Sequence, residues 1–339
     1  MRPEDTGGSA DDSAGENRLP EPLRANVPLV DGMLRRLKLK PLLIFDRVLA
    51  SHSIARAARE LNLTQPAVTK AIQELEGDLG VELFERTNRG VVPTCYATLL
   101  GARVKSVIAE LRYLTDELNA FRSGDSGHVI IGTLISASAR LLPLAISKLK
   151  AERPGILVTV REAPLDRLFP ALATGELDLV VGRLPEADLP LARMYSFHHV
   201  ELFKEDLCAV VWSEHPLAQR ASIDLRELLA WPWLLPPMES PARITAERLF
   251  TDAGLAMPGN IVESLSLLTN IGLMQSMQAI NLMPRAVAQH FKQLKLLAIL
   301  EMGDIGAFGR IGYSVREDRA STPAAARFIE CLKQASSEL

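Results

Sequence analysis

Four side chains between residues 65 and 70 have the types and the spacing to contact the edges of nucleic-acid bases. They are Gln65, Pro66, Thr69 and Lys70. The Gln65 amide can make a bidentate contact with adenine, and the Lys70 ammonium can reach guanine or a phosphate. Pro66 and the methyl group of Thr69 can touch the methyl group of thymine. Each side chain has an alternative as a solvated surface residue, so the elements that position them decide the interpretation.

The helical spacing of apolar residues predicts three helices around this stretch. The first runs from Leu34 to Ala50, Ser53 caps a short second helix, and Thr64 caps a third helix that ends at Gly80. Pro66 suits the first turn of the third helix, and Thr64 is a candidate DNA contact as well as the cap. Two short helices, a tight turn and a third helix with an outward polar face are typical of a helix-turn-helix, whose last helix enters the major groove. Helical hairpins that bind no DNA share the pattern.

The net charge of −3 over 339 residues hides a local basic segment. Residues 35–95 hold ten Lys and Arg against seven Asp and Glu, whereas residues 1–34 hold three basic and seven acidic side chains. A small DNA-binding module requires such a local excess of positive charge. Arg56, Arg86 and Arg89 are therefore candidate phosphate or minor-groove contacts, with Arg89 at the tip of a wing predicted from Thr87 to Val92. Each is otherwise an ordinary surface arginine.

The sequence motifs in and around these helices are typical of one protein family. The segments that matter are Ser53–Leu61, Thr64–Lys70, Leu75–Glu76, Leu79–Arg86 and Pro93–Thr94. Together they closely resemble the LysR-type transcriptional regulators, from about Leu37 to the C-terminus, although Gly77 and Ala97 depart from the family's usual residues. The resemblance implies a winged helix-turn-helix at residues 35–93, double-stranded promoter DNA and RNA polymerase as partners, and regulation of transcription as the function.

A long helix predicted at residues 94–122 and capped by Thr94 carries an apolar seam with alternating spacings of four and three. Its members are Leu100, Val104, Val107, Leu111, Leu114, Leu118 and Phe121. A strict period of 3.5 residues over three repeats favours a coiled coil between two chains. The alternative is an amphipathic helix packed on its own domain. The resemblance implies a linker helix that forms a homodimer, and a tetramer through the domains that follow.

After a hinge at residues 123–127, strands and helices alternate through residues 128–339. Short buried strands with helices between them predict an α/β domain with a parallel sheet. We expect two lobes, lobe I at about 128–196 and 304–339, and lobe II at about 197–303. The order resembles the periplasmic-binding-protein-like domain with which the family binds a small-molecule effector.

Four serines and two arginines in this domain are candidate effector contacts. They are Ser136, Ser138, Ser240 and Ser264, with Arg183 and Arg243. The serines lie where helices are expected to begin, and unpaired N–H groups at helix N-termini attract anions. The arginines would supply the counter-charge. We therefore expect an anionic metabolite in a cleft between the lobes, although each serine could be a plain helix cap and each arginine a surface residue.

Rival classes of protein are less well supported. The chain lacks a GxSxG elbow, a P-loop and an HExxH motif, and the glycines at 303, 306, 309 and 312 are interpreted as turns, so we predict no enzyme. A transporter's solute-binding protein would have no use for the first 95 residues. A DNA-binding protein without an effector remains an alternative.

The three cysteines Cys95, Cys208 and Cys331 are far apart in the sequence and are expected to be buried. His198 and His199 are neighbours on a predicted strand and point to opposite faces, so they cannot share a metal. We therefore expect neither a metal nor a cofactor.

The N-terminal 34 residues lack periodicity and a signal-peptide pattern, and they are predicted to be a disordered tail, with Met33 as an alternative start. The longest apolar runs fall far short of the roughly 20 residues that cross a bilayer. We therefore expect a cytoplasmic protein with no membrane partner.

Overall fold

The computed structural model describes residues 37–87, 90–123, 126–185, 195–238, 240–303 and 305–339. Two compact units divide the chain between Val104 and Lys105, and they are called here the N-terminal and the C-terminal unit. The predicted tail and residues 124–125 of the predicted hinge lie outside the described residues. Among the described helices, none is long and apolar enough to cross a membrane.

The N-terminal unit contains the predicted winged helix-turn-helix. Its elements are α1 (Leu39–Ser51), α2 (Ile54–Glu60), α3 (Gln65–Leu79), the strands β1 (Phe84–Thr87) and β2 (Gly90–Pro93), and the start of α4 (Cys95–Ser123). The first helix begins at Leu39, later than predicted. Phe45, Val48, Val68 and Leu83 are fully buried and form the core of the unit. The two strands pair as an antiparallel hairpin, which is the predicted wing.

Side-chain caps set the helix boundaries here, as the sequence predicts. The backbone N–H of Ala67 donates to the Thr64 hydroxyl at 3.4 Å, and the N–H of Ala97 donates to Thr94 at 3.3 Å at the start of α4. Gly80 ends α3 in the left-handed conformation, with φ of 70°. The helix continues through Gly77 without a break.

Lobe I of the C-terminal unit is a three-layer arrangement around a sheet. It contains β3 (Gly127–Thr133), α5 (Ile135–Ser138), α6 (Leu141–Glu152), β4 (Ile156–Glu162), α7 (Leu165–Ala173), β5 (Leu179–Arg183) and α12 (Pro323–Ser336). Strand β3 pairs in parallel with both β4 and β5, as predicted. Leu149 of α6 and Phe328 of α12 are fully buried in the same cluster as Ile131 of β3, so both helices cover one face of the sheet.

Lobe II has its own core around Trp233 and Phe250, whose rings meet edge to face at 5.2 Å. Its elements are α8 (Leu225–Leu228), β7 (Trp233–Leu235), α9 (Pro241–Asp252), β8 (Ile261–Glu263), α10 (Leu267–Met277), β9 (Ile280–Pro284), α11 (Arg285–Gln293) and β10 (Leu297–Ile299).

Two long antiparallel strands, β6 (Phe197–Trp212) and β11 (Ala307–Arg316), join the lobes. The full order is β4-β3-β5-β11-β6-β9-β7-β8, with β10 against β6, so the sheet is mixed rather than purely parallel. The predicted start of lobe II at residue 197 is too early, because the first half of β6 pairs with β11 next to β5 of lobe I. Pairing with lobe II begins at Leu207.

Two smaller expectations need correction. Gly309 and Gly312 lie within β11 rather than in turns, and a Cβ on Gly312 would come within 2.0 Å of the Val200 carbonyl oxygen. That close approach of two backbones explains the glycine. Cys208 and Cys331 are buried as predicted, but Cys95 is exposed at the first turn of α4.

Candidate functional sites

The outward face of α3 presents the side chains predicted to contact bases. Gln65, Pro66 and Lys70 are exposed, and Thr69 is half-buried. The Lys70 ammonium lies 3.8 Å from the Glu74 carboxylate, an exposed pair that leaves its charge available to solvent. The first two turns of α3 therefore present an amide, a hydroxyl and an ammonium to one side.

A groove of about 280 Å³ joins this face to the neighbouring elements. It is lined by Ser53, Ile54 and Ala55 at the start of α2, by Gln65 and Thr69 of α3, and by Thr87, Gly90 and Val91 of the wing. The second helix, the third helix and the wing thus meet at one concave surface.

Contacts that the sequence did not reveal hold the wing in place. The Glu76 carboxylate of α3 accepts hydrogen bonds from the backbone N–H groups of Leu83, at 2.8 Å, and Phe84, at 3.2 Å. Gly90 has φ of 136°, and a Cβ there would lie 2.7 Å from the His52 carbonyl oxygen. Only glycine allows the wing to approach the end of α1 so closely.

The candidate phosphate contacts are only partly described. Arg56 is exposed and its Nε lies 2.9 Å from Oε1 of Glu60, whose pKa this hydrogen bond lowers. Water screens an exposed pair of this kind, which therefore contributes little to stability, so a phosphate can replace it. Arg89 and the side chain of Arg86 lie outside the described residues.

The seam of α4 divides into a buried and an exposed part. Val104 is buried and Leu100 half-buried, as the packed-helix alternative expects. The members further along are exposed by 36–59%, namely Val107, Leu111, Leu114 and Leu118. The side chain of Phe121 lies outside the described residues. Four apolar side chains in heptad spacing are therefore exposed to solvent in the described part of the chain.

The same helix is anchored to lobe I by a buried ion pair that the sequence did not reveal. Nη2 of Arg112 lies 2.8 Å from Oδ1 of Asp178, and Nη1 lies 3.2 Å from Oδ2. Burial alone would lower the pKa of Arg112, but the bond to Asp178 raises it above its ordinary value. The Tyr113 ring lies between the guanidinium groups of Arg112, at 4.5 Å, and Arg319, at 3.8 Å. Part of α4 is thereby fixed to the sensing domain.

In lobe I the two predicted serines lie inside α5 rather than at its start, because Leu134 is the N-cap. Ser136 is buried beside Glu205, and the Ser138 hydroxyl donates to the Leu134 carbonyl at 3.2 Å. Arg183 is the last residue of β5. Its side chain packs so closely against Gly309 of β11 that a Cβ on Gly309 would lie 2.8 Å from the Arg183 Nε. Arg183 therefore lies against the second crossing strand.

The predictions for lobe II need two corrections. Arg243 is buried, and its guanidinium is bonded to Glu247 at 3.0 Å and to Glu263 at 3.1 Å. These two carboxylates neutralise its charge, so Arg243 is not a counter-charge for an anionic effector. Ser264 does not open a helix, because its N–H is held by the Leu235 carbonyl and Ser266 caps α10 instead. Ser240 is the N-cap of α9, as expected.

A cavity of about 630 Å³ lies between the lobes. Lobe I contributes Ile135, Ser138, Ala139, Pro143 and Glu162, and lobe II contributes Leu265, Ser266, Leu267, Leu268, Val287, His290 and Phe291. Of the six predicted effector residues, only Ser138 lines it. A volume of about 300–1,000 Å³ with apolar walls and a few polar groups is typical of a small-molecule site.

Comparison with known proteins agrees with this arrangement. Residues 39–98 match the family model of the bacterial regulatory helix-turn-helix protein of the LysR family, and residues 122–337 match the LysR substrate binding domain. The transcriptional regulator GbpR of Azospirillum brasilense is 30% identical over 89% of this chain and 87% of its own length. GalR of Pseudomonas putida is 31% identical over 92% of this chain and 76% of its own length.

Solved structures show the same fold. CbnR, a LysR family transcriptional regulator, superposes with a TM-score of 0.66 at 21% identity, over 88% of this chain and 99% of its own. OxyR of Pseudomonas aeruginosa gives a TM-score of 0.62 at 22% identity, over 88% and 94%. These relatives are transcription regulators, not enzymes. The chain belongs to the LysR family of DNA-binding transcription regulators.

Proposed function

We propose that this regulator, acting in the cytoplasm without another cofactor, is controlled by a small organic acid bound between its lobes. The observation that carries the proposal is the cavity of about 630 Å³, whose walls come from both lobes. A ligand that contacts both walls binds one relative position of the lobes better than another. Such differential affinity is what shifts a conformational equilibrium.

The lining favours an acid with an apolar body. Ile135, Leu267, Val287 and Phe291 supply apolar surface, and Leu268 at the rim is 83% exposed. Ser138 and His290, one from each lobe, are the hydrogen-bonding groups that can orient a carboxylate. Arg183, Ser136 and Ser240 do not line this cavity and remain predicted contacts.

The test is a thermal-shift and isothermal titration screen of small aliphatic and aromatic carboxylic acids against the full chain. Ser138→Ala and His290→Leu should each weaken the binding of the selected acid by about 1.5–3 kcal/mol, because each removes a hydrogen bond to a charged group. Ser222→Ala, an exposed serine of lobe II outside the cavity, is the matched control and should change nothing. DNA binding without the acid should persist in all three variants.

If no acid in the panel changes either the unfolding midpoint or the affinity for DNA, the proposed control is wrong. If the acid binds but Ser138→Ala and His290→Leu bind it normally, the effector lies elsewhere.

We further propose that two chains pair through the exposed seam of α4, that pairs assemble into a tetramer, and that RNA polymerase is the partner at the promoter. The support is the exposure of Val107, Leu111, Leu114 and Leu118 in heptad spacing.

A further inference from the structure

A second cavity, of about 280 Å³, lies against a different face of α11 from the inter-lobe cavity, and the two share no lining residue. It is lined by Arg140 at the start of α6, residues 203–206 of β6, and Arg285, Ala286 and Gln289 of α11. Ser336, the last residue of α12, and Leu339 complete the lining. It therefore touches lobe I, a crossing strand and lobe II.

The charge in this cavity is unusual. Arg140 and Arg285 are half-buried, and Lys204 is exposed beside them. No ion pair or side-chain hydrogen bond joins these three cations to another residue that the structure describes. The nitrogen atoms of the Arg140 and Arg285 guanidinium groups are accessible to solvent rather than buried without a partner. The arginines are thus arranged to receive an acceptor from outside the chain.

Glu205 is part of the cavity wall and is bonded to the start of α11. It is 4% exposed, its Oε1 accepts the Ala286 N–H at 3.3 Å, and the buried Ser136 hydroxyl lies beside its carboxylate. Burial raises the pKa of Glu205 to about 7. Hydrogen bonds from the Ser136 hydroxyl and the Ala286 N–H lower the pKa, but their effect is smaller than that of burial. Neighbouring Asp206 raises it further, and the nearby Cys208 thiol stays neutral because burial raises its pKa to about 12.

We propose that this cavity binds a small inorganic or carboxylate anion between Arg140 and Arg285, at the N-terminus of α11. Four N–H groups at the start of a helix have no partner within the helix, and the helix dipole adds to the attraction. Glu205 already accepts the Ala286 N–H of the nine-residue α11, so the two arginines supply most of the attraction. Because Arg140 belongs to lobe I and Arg285 to lobe II, the bound anion links the lobes at a place distinct from the effector cavity.

Sulfate is the probe, because it stays fully ionised between pH 6.5 and 8.5, and malonate tests whether a carboxylate is accepted as well. Isothermal titration of the full chain at constant ionic strength should show sulfate binding. Arg140→Gln and Arg285→Gln should each weaken it by about 10- to 150-fold, the usual effect of losing a charged hydrogen bond. Arg310→Gln is the matched control, since Arg310 is exposed and lies outside the cavity, and it should bind sulfate normally.

The ionisation of Glu205 predicts a pH dependence of sulfate affinity that a surface site without a buried carboxylate would lack. Protonated Glu205 does not repel an anion, so sulfate affinity should be highest at pH 6.5 and fall by up to about 25-fold at pH 8.5 as a group with a pKa near 7 ionises. Glu205→Gln should remove this fall and tighten binding at pH 8.5. Thermal melting checks that each variant is folded, and Arg285→Lys, which keeps the charge, should recover part of the affinity.

Absence of sulfate and malonate binding to the wild-type chain would overturn the proposal, as would an equal loss in Arg310→Gln or a pH-independent affinity. Loss of sulfate binding in Ser138→Ala would place the anion in the effector cavity, which removes the second site but leaves the proposed function intact. Conversely, failure of the acid screen leaves the sulfate result unaffected.

Discussion

Replacing Asp178 with alanine should lower the free energy of unfolding of the C-terminal unit by about 3–5 kcal/mol. The Asp178 side chain is 2% exposed and bonded to Arg112 at both carboxylate oxygens. Its Oδ2 also accepts the backbone N–H of Ile130 at 2.7 Å, so the substitution leaves that N–H unbonded and the guanidinium with only the Gly175 carbonyl, at 3.1 Å, and the Asp116 carboxylate, at 3.7 Å. Urea denaturation followed by tryptophan fluorescence measures the effect, because Trp212, Trp231 and Trp233 all lie in this unit.

Asp318→Ala is the matched control. Asp318 also pairs with an arginine, Arg316, at both carboxylate oxygens, but its side chain is 49% exposed. Water replaces an exposed partner, so the expected loss is at most about 1 kcal/mol. Equal losses in the two variants would show that the bond between α4 and lobe I is no more than a surface ion pair.

Replacing Leu114 with glutamate should separate the two chains of the dimer and lower affinity for a two-half-site operator by about 10²- to 10⁴-fold. Leu114 is 54% exposed at the centre of the seam, so a carboxylate there would meet its counterpart in an apolar interface. Loss of pairing removes the linked second half-site without altering α3. Analytical ultracentrifugation gives the mass, and fluorescence anisotropy gives the affinity.

Thr115→Glu adds the same charge at the neighbouring exposed position, off the seam, and should leave both the mass and the affinity unchanged. If Leu114→Glu sediments with the wild-type mass, the exposed seam of α4 is not the interface between chains.

Local patterns predicted the N-terminal unit well. The caps Ser53, Thr64 and Thr94 and the terminator Gly80 act within four residues of themselves, so their effect is visible in the sequence. The wing was also placed correctly. Its fixing contact from Glu76 reaches seven and eight residues along the chain, and no periodicity reports such a bond.

The C-terminal unit was harder to predict because its candidate sites are built from distant segments. Arg243 was proposed as a counter-charge from its place in the first turn of a helix, but Glu263, twenty residues away, neutralises it. Glu205 was overlooked because it lies in a strand between Lys204 and Asp206 and looks like a solvated residue. Only the fold shows that β6 crosses between the lobes and buries it.

The most direct test of base reading by α3 compares affinity for a selected operator with affinity for random DNA. The wild-type chain would first select its operator from a pool of random duplexes. Gln65→Ala and Lys70→Ala should each weaken operator binding by about 1–3 kcal/mol and random-DNA binding much less, because Gln65 and Lys70 lie on the exposed face of α3. Equal losses on both DNAs, or none on the operator, would contradict the account.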